Sequence, residues 1–491
     1  MNKKGLITRS IVIILVTSLL LGLTAYLLRR NEGFEKNREF YDSDEEYDVL
    51  FFGSSHVTMG VLPMELWNNY GITSYNLANQ GQSIPADYWL LKAALERKQP
   101  SLVVMDVYTL YEEDKYSVME YVHSSFDPMP MSATKVDAIR DLLPKENQLE
   151  FLMPFSLYHN RWEMVNEDFF ERTPSVQKGA YENNEQGEPF VEPVPEIDMS
   201  VKQYTPVEET TNMEYMRGAI ELCKEQGIPI LLVAAPFNDE EHLVQWTNGA
   251  IQLSQEYDVP FVNGATEGLL NTNSDLYDRG HMNSSGARKW TNYLGEYISS
   301  NYDIDDKRND PAYQSWNEDY QAYRTYKVEE LNSTDNLNAL LMLLYDKEWS
   351  ACIAVEKGCE KFGDEWFWDL MGNAESNAGI VTVPADDTQN YFCVIDNKDG
   401  KLTELIGNGE AAEVPTSFGT IGYSLGADGS AVLSLNGNSE SIMQETLITP
   451  KGEDTPVDDS SADEVQEENR IGVQVWVFNH DTGEILRYSI F

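Results

Sequence analysis

The 491 residues carry 82 acidic against 35 basic side chains, a formal charge of -47 at pH 7. Such a balance repels phosphate backbones and excludes nucleic acid as a partner. With 42% apolar and 11% aromatic residues the chain can bury sizeable cores and is not a disordered polyanion. Its four cysteines, Cys223, Cys352, Cys359 and Cys393, lack the density of a disulfide scaffold and the paired spacing of a zinc site.

The first element is a 19-residue run without a charge, Ser10 to Leu28. At about 1.5 Å per residue it is long enough to cross a bilayer core of about 30 Å. An uncleaved anchor fits better than a signal peptide, whose apolar region is usually about 7 to 15 residues and ends in a small-residue cleavage site. Basic residues flank both ends: Lys3, Lys4 and Arg9 before, Arg29, Arg30, Lys36 and Arg38 after. Charge therefore leaves the orientation nearly tied. Every acidic residue lies beyond position 30, and placing residues 31–491 on the extracellular face rests on the function argued below.

From Tyr47 to Tyr302 short apolar runs alternate with amphipathic stretches. The runs are Asp48 to Phe52, Thr73 to Leu77, Leu102 to Asp106, Ile228 to Ala235 and Val259 to Val262. Helices are expected at Pro85 to Lys98, Met213 to Glu225, Glu240 to Tyr257 and Ser285 to Ser299. That alternation predicts a doubly wound α/β domain around a parallel sheet. Glu167 to Glu209, acidic and with five prolines, reads as a surface insertion. The expected organisation is an anchor at 1–30, an α/β domain at 31–305, a polar connection at 306–334 and an α+β domain at 335–491. The last of these begins with a helix from Leu337 and ends in a hairpin around Asn479 to Gly483. Glu453 to Glu468, with eight acids and no base, is expected to be a solvated loop.

Chemistry is suggested first where the first strand runs into Gly53-Ser54-Ser55-His56, since open α/β sheets bind ligands at the carboxyl ends of their strands. A serine on such a turn presents hydroxyl and backbone N–H together. The second signal is Asp278-Arg279-Gly280-His281 before the last helix of the domain. An Asp three residues before a His is within reach of Nδ1, which assigns Nε2 the role of base toward a serine. Alternatively, each is an ordinary loop or helix cap.

With Ser, Asp and His in that order on one α/β domain, the chain resembles the SGNH (GDSL-like) hydrolase superfamily. The resemblance implies a flavodoxin-like three-layer SGNH domain with Ser55 as nucleophile, Asp278 as orienting acid and His281 as general base. Asn76-Leu77-Ala78-Asn79-Gln80-Gly81 after the second strand is similar to the family's glycine block, which implies an oxyanion hole from Ser55 and Gly81. A glycine there lets a backbone N–H approach the developing charge. The family's Gly-x-Asn-Asp block after the third strand is absent: the place reads Val103 to Tyr108, and Asn76 or Asn79 is the candidate replacement. Within the superfamily the chain most resembles the membrane-anchored DltD-type and alginate-acetylation-type proteins of bacterial envelopes, which work beside membrane-bound O-acyltransferases. That implies a serine esterase or O-acyltransferase on acyl, chiefly acetyl, esters of cell-envelope polysaccharide, with no metal and no organic cofactor. The alternative is a catalytically weak glycan-binding or assembly protein.

His56, His159 and Arg161 are candidate substrate-binding residues, the last two by charge beside Trp162. In the C-terminal domain, Gly472 to Phe478 with Asp481 to Leu486 resembles the interleukin-like EMT inducer (PANDER-like) domain in permuted order. That resemblance implies a non-catalytic, glycan-binding module.

Overall fold

The computed structural model describes residues 3–28, 32–152, 162, 176–185, 206–236, 240–374, 381–408, 411–427, 429–438 and 472–491. Helix α1 (Lys3–Leu28) contains a 20-residue span, Gly5–Thr24, long and apolar enough to cross a membrane. Large apolar side chains along it, Leu15 and Leu19 among them, are exposed. A second helix, α2 (Glu32–Asp42), follows. By internal contacts the rest of the chain forms two compact units. One is made chiefly of 1–182, 196–269 and 290–320, and the other of 183–195, 270–289 and 321–491.

The first unit holds a parallel sheet of β1 (Val49–Phe52), β2 (Ser74–Asn76), β3 (Leu102–Asp106), β4 (Ile230–Ala234) and β5 (Phe261–Asn263). Its order, β2-β1-β3-β4-β5, is the flavodoxin-like one. Every residue of β1, β3 and β4 is buried, which is why these strands read as unbroken apolar runs rather than alternations. Helices α3 (Ser55–Gly60) and α4 (Pro63–Tyr70) link β1 to β2, α5 (Ile84–Leu95) links β2 to β3, and α6 (Met119–Phe126) follows β3. Further helices lie at Thr211–Gln226 and Glu240–Tyr257. The turn from β1 into α3 and the end of β3 thus stand side by side at the sheet's switch point, the crevice that such folds use for ligands.

Most of the second unit is a five-stranded antiparallel sheet. Its strands are β6 (Trp349–Val355), β7 (Asn390–Asp396), β8 (Lys401–Gly407), β12 (Val473–Asn479) and β13 (Ile485–Ile490), in the order β13-β12-β6-β7-β8. One face packs on helices Leu337–Leu343 and Glu365–Ala374 through Ile353, Cys393, Val475, Leu340 and Phe367. The other packs on a three-stranded sheet of β9 (Ala412–Thr416), β10 (Gly419–Leu425) and β11 (Ala431–Leu435) through Cys352, Phe392, Trp476 and Ile421. The period of two sends alternate residues to these two cores. The polar stretch expected to be a connection contains the 20-residue helix Gln314–Ser333, and Asp396 to Gly400 is the β7–β8 hairpin turn.

All four cysteines are free and buried. Cys352 and Cys393 sit on neighbouring strands but in opposite cores, so they cannot pair. Burial pushes the Cys223 and Cys393 thiols up to about 12 and so withholds the reactive thiolate. A thiol reagent is therefore expected to leave the native protein unlabelled and to find four thiols in urea. One fast-reacting native thiol would contradict this packing.

Candidate active site

At the end of β1 the chain must turn within one residue. Gly53 does so at φ 154°, where an added Cβ would stand 2.6 Å from Val57 Cγ2 and 2.8 Å from Asp106 Cβ. Only glycine fits both the backbone and the space. Ser54 then takes an extended conformation, with its carbonyl accepting from the Val57 and Thr58 N–H groups. Ser55 opens α3 and is half-buried. Because the chain becomes helical at Ser55, His56 folds back instead of continuing along a strand. Its Nδ1 lies 3.2 Å from Ser54 Oγ, and its ring meets Tyr108 edge-on at 4.0 Å. It is 4% exposed.

The loop after β2 is tied to that turn. The Asn79 N–H and Gln82 Nε2 both donate to the Gly53 carbonyl, each at 3.2 Å. Asn79 Nδ2 donates to Gln82 Oε1 at 2.9 Å, and Ser125 Oγ on α6 donates to the same oxygen at 2.7 Å. Gly81 has φ 60°, and a Cβ there would stand 2.2 Å from the Tyr121 ring, so a left-handed turn and a close neighbour both require glycine. Asn76 donates its Nδ2 hydrogens to the Val57 and Val61 carbonyls at 2.8 and 3.0 Å. It staples α3 to the sheet and has no donor left for a substrate.

Two residues of this network had no signal in the sequence. Gln82 sits at the centre of the loop and also donates to Asp87 Oδ1 at 2.6 Å. Asp106 ends β3 beside Gly53. A small hollow there is lined by Gly53, Ser54, Gln82, Asp87, Asp106 and Tyr108.

The second unit carries the other half of the sequence motif. Asp278 accepts from the Gly280 and His281 N–H groups at 2.7 and 2.8 Å, and both its carboxylate oxygens lie 2.9 Å from His281 Nδ1. Partial burial acts to raise the Asp278 pKa, but the hydrogen bonds from His281 and Gly280 outweigh it and hold the carboxyl below its ordinary value. Asp278 does not cap the next helix, Ser284–Asn301. Asn283 serves that end, its Oδ1 accepting from the Gly286 N–H at 3.1 Å. The loop is anchored from below by Asp275, which accepts from the Asn271 N–H, Ser285 Oγ and Lys289 Nζ at 2.6 to 2.7 Å. A Cβ on Gly286 would stand 2.3 Å from the Asp275 carbonyl oxygen. His159 and Arg161 lie outside the described residues.

Among the described residues no group of three or more His, Cys, Asp or Glu side chains converges as a metal site. No family model matches the sequence, and no curated protein matches it. Among solved structures, an acetyl xylan esterase from the rumen bacterium Butyrivibrio proteoclasticus is similar at 9% identity and a TM-score of 0.22. The match covers 52% of this chain and 65% of that one. At that level of similarity, chemistry has to be read from this chain's own residues.

Proposed function

We propose that this protein is a membrane-anchored serine esterase or O-acyltransferase of SGNH type, acting on acyl esters of cell-envelope polysaccharide at the extracellular face. Ser55 attacks the acyl carbonyl as His281 Nε2 takes its proton, and Asp278 orients the imidazole. The N–H groups of Ser55 and Gly81, with Asn79 in the same loop, stabilise the oxyanion. Water as acceptor gives deacylation; a sugar hydroxyl gives transfer. His56, His159 and Arg161 are the candidate glycan-binding residues, α1 anchors the chain, and residues 335–491 contribute a non-catalytic, glycan-binding module. No metal or organic cofactor takes part.

The observation that carries this reading is the Asp278–His281 clasp, in which the carboxylate holds Nδ1 within one turn of chain and so assigns Nε2 the acid–base role. The full chain in detergent is expected to be labelled by a fluorophosphonate at Ser55, as located by mass spectrometry, and the Ser55→Ala variant is expected to take no label. Label on another serine, or none on folded protein, sinks the proposal.

One observation favours a second reading. Asn76 is fully engaged and Val103 to Tyr108 hold no asparagine, so oxyanion donors are few. A protein of weak turnover would then bind acylated glycan beside a membrane-bound O-acyltransferase. Glycan affinity that survives Ser55→Ala, together with absent labelling, would select it.

A further inference from the structure

Behind the Gly53 turn lie two buried carboxyl groups that the reaction just proposed does not use. Asp87 on α5 is 1% exposed and Asp106 at the end of β3 is 2% exposed. Asp87 accepts from Gln82 Nε2 at 2.6 Å. Asp106 accepts from the Ala235 N–H through Oδ1 at 3.4 Å. Its Oδ2, fully buried, has no hydrogen-bond partner among the described residues. Both carboxyls line the same hollow under Ser54, and Asp87 lies in the field of Asp106.

A lone buried carboxylate oxygen without a partner is costly. Two adjacent carboxylates sharing a site cannot both ionise cheaply, so one keeps a proton. We propose that Asp87 and Asp106 are positioning residues for the reaction of Ser55: packed behind the Gly53 turn, they clamp the loop that presents the serine, Asp106 in its neutral form because its buried Oδ2 has no partner to answer a charge. The inference rests on the esterase or transferase reading for its consequence, but the state of the pair can be measured without it.

The clamp has named parts. Gln82, bonded to Asp87, holds the Gly53 carbonyl. The Asp106 Cβ occupies the space that forbids a side chain at Gly53. Tyr108, two residues on, carries the contact to His56 and so to Ser54. Around the hollow the titratable groups are Asp87, Asp106 and Tyr108. His56 stands against Tyr108, and α6 brings the uncharged Ser125 to Gln82, with the His123–Asp127 pair on the same helix.

Burial pushes the Asp106 carboxyl up to about 7 against the N–H groups of Ala235, Val107 and Tyr108. Burial, reinforced by the Asp106 charge, raises Asp87 well above the ordinary range despite its bond to Gln82. The folded state thus holds protons that the unfolded chain releases near pH 3.9. Stability from Asp106 is full below that pH and drains as pH rises through about 7, and Asp87 acts in the same direction. A site that retains such a pair beside its nucleophile is a functional arrangement rather than a stabilising one.

The test uses the full chain in detergent with p-nitrophenyl acetate as substrate and infrared spectroscopy of the carboxyl bands. Wild type is expected to show the band of a protonated, buried carboxyl at neutral pH that bleaches on alkaline titration, and Asp106→Asn to lose the Asp106 share of it while any Asp87 share remains. Asp106→Leu is expected to lower kcat about 10- to 100-fold with KM unchanged, the scale of a misplaced reacting group. Asp106→Asn, which keeps the Oδ1 acceptor, is expected to restore kcat and move the alkaline limb of its pH profile upward. A wild-type spectrum without that band overturns the proposal even if every variant misfolds. So does an alkaline limb that Asp106→Asn leaves in place. Turnover that survives Ser55→Ala overturns the catalytic reading instead, and the infrared result then decides the pair alone.

Discussion

Ser55→Ala is expected to reduce ester turnover by the full chain about 10³-fold or more, while Ser54→Ala costs less than about 10-fold. The two hydroxyls differ in place, not in chemistry. Ser54 Oγ faces His56 Nδ1 inside the turn, and Ser54 is buried, whereas Ser55 begins α3 and is half-buried. His281→Ala is expected to match Ser55→Ala, and the double variant to be no worse than either, because groups that act as one unit are not additive. Asp278→Asn is expected to lose about 10³- to 10⁴-fold in kcat. The replacement keeps an oxygen for the Gly280 and His281 N–H groups, but its amide would place a donor against Nδ1, where the carboxylate accepts, and so favour the wrong tautomer. Steady-state kinetics on one acetyl ester measures all five variants. Equal losses for Ser54→Ala and Ser55→Ala would mean that the turn, not a nucleophile, is being perturbed.

Residues that announce themselves locally were legible in the sequence. Leu102–Asp106 reads as a strand because every one of its side chains is buried, and Asp278 with His281 reads as a pair because three residues of chain suffice to bring them together. Gly81 was singled out by the resemblance of its segment to a family's glycine block, and its φ of 60° with the Tyr121 ring close by favours glycine there. Asp87 and Asp275 were not legible, since each draws its meaning from partners that only the fold supplies, such as Gln82 for Asp87 and Lys289 for Asp275. His56 was read as a candidate for substrate binding, but the strand ends at Gly53 and helix geometry turns its ring onto Ser54, where it is buried. Asp106 was not legible, because nothing short of the β1–β3 pairing sets it against Gly53. The helix Gln314–Ser333 was hidden by its polar, tyrosine-rich composition. Its buried Trp316, Tyr320 and Tyr323 nevertheless recur at the four- and three-residue steps of one helical face.

The second unit is expected to depend on a single buried carboxylate. Asp346 is 4% exposed and Lys327 5% exposed, and Lys327 Nζ lies 2.8 Å from Asp346 Oδ2, with Arg288 Nε at 3.6 Å from the same oxygen. The other oxygen accepts from the Glu348 N–H at 3.0 Å. Asp346→Asn keeps the shape and removes the charge that faces two buried cations, while Glu348 still stands 3.1 Å from Lys327. Breaking a buried ion cluster in this way costs about 3–5 kcal/mol. Lys327→Met should cost less, since Arg288 still faces Asp346. The sign of the pH dependence is fixed by the same contacts. Burial alone would raise the Asp346 pKa, but the Lys327 and Arg288 charges outweigh it and hold the carboxyl below its ordinary value. Its contribution is therefore present above the unfolded carboxyl pKa of about 3.9 and is lost as pH falls through the lower folded value. The Asp87–Asp106 pair runs the other way, losing stability as pH rises. Hydrogen exchange of peptides from β6 and β12 reads the second unit separately, and there the deficit of Asp346→Asn should be large at neutral pH and shrink in acid, where wild-type Asp346 is also neutral. A deficit that stays constant across that range would mean that the carboxyl shape, not its charge, holds the unit together.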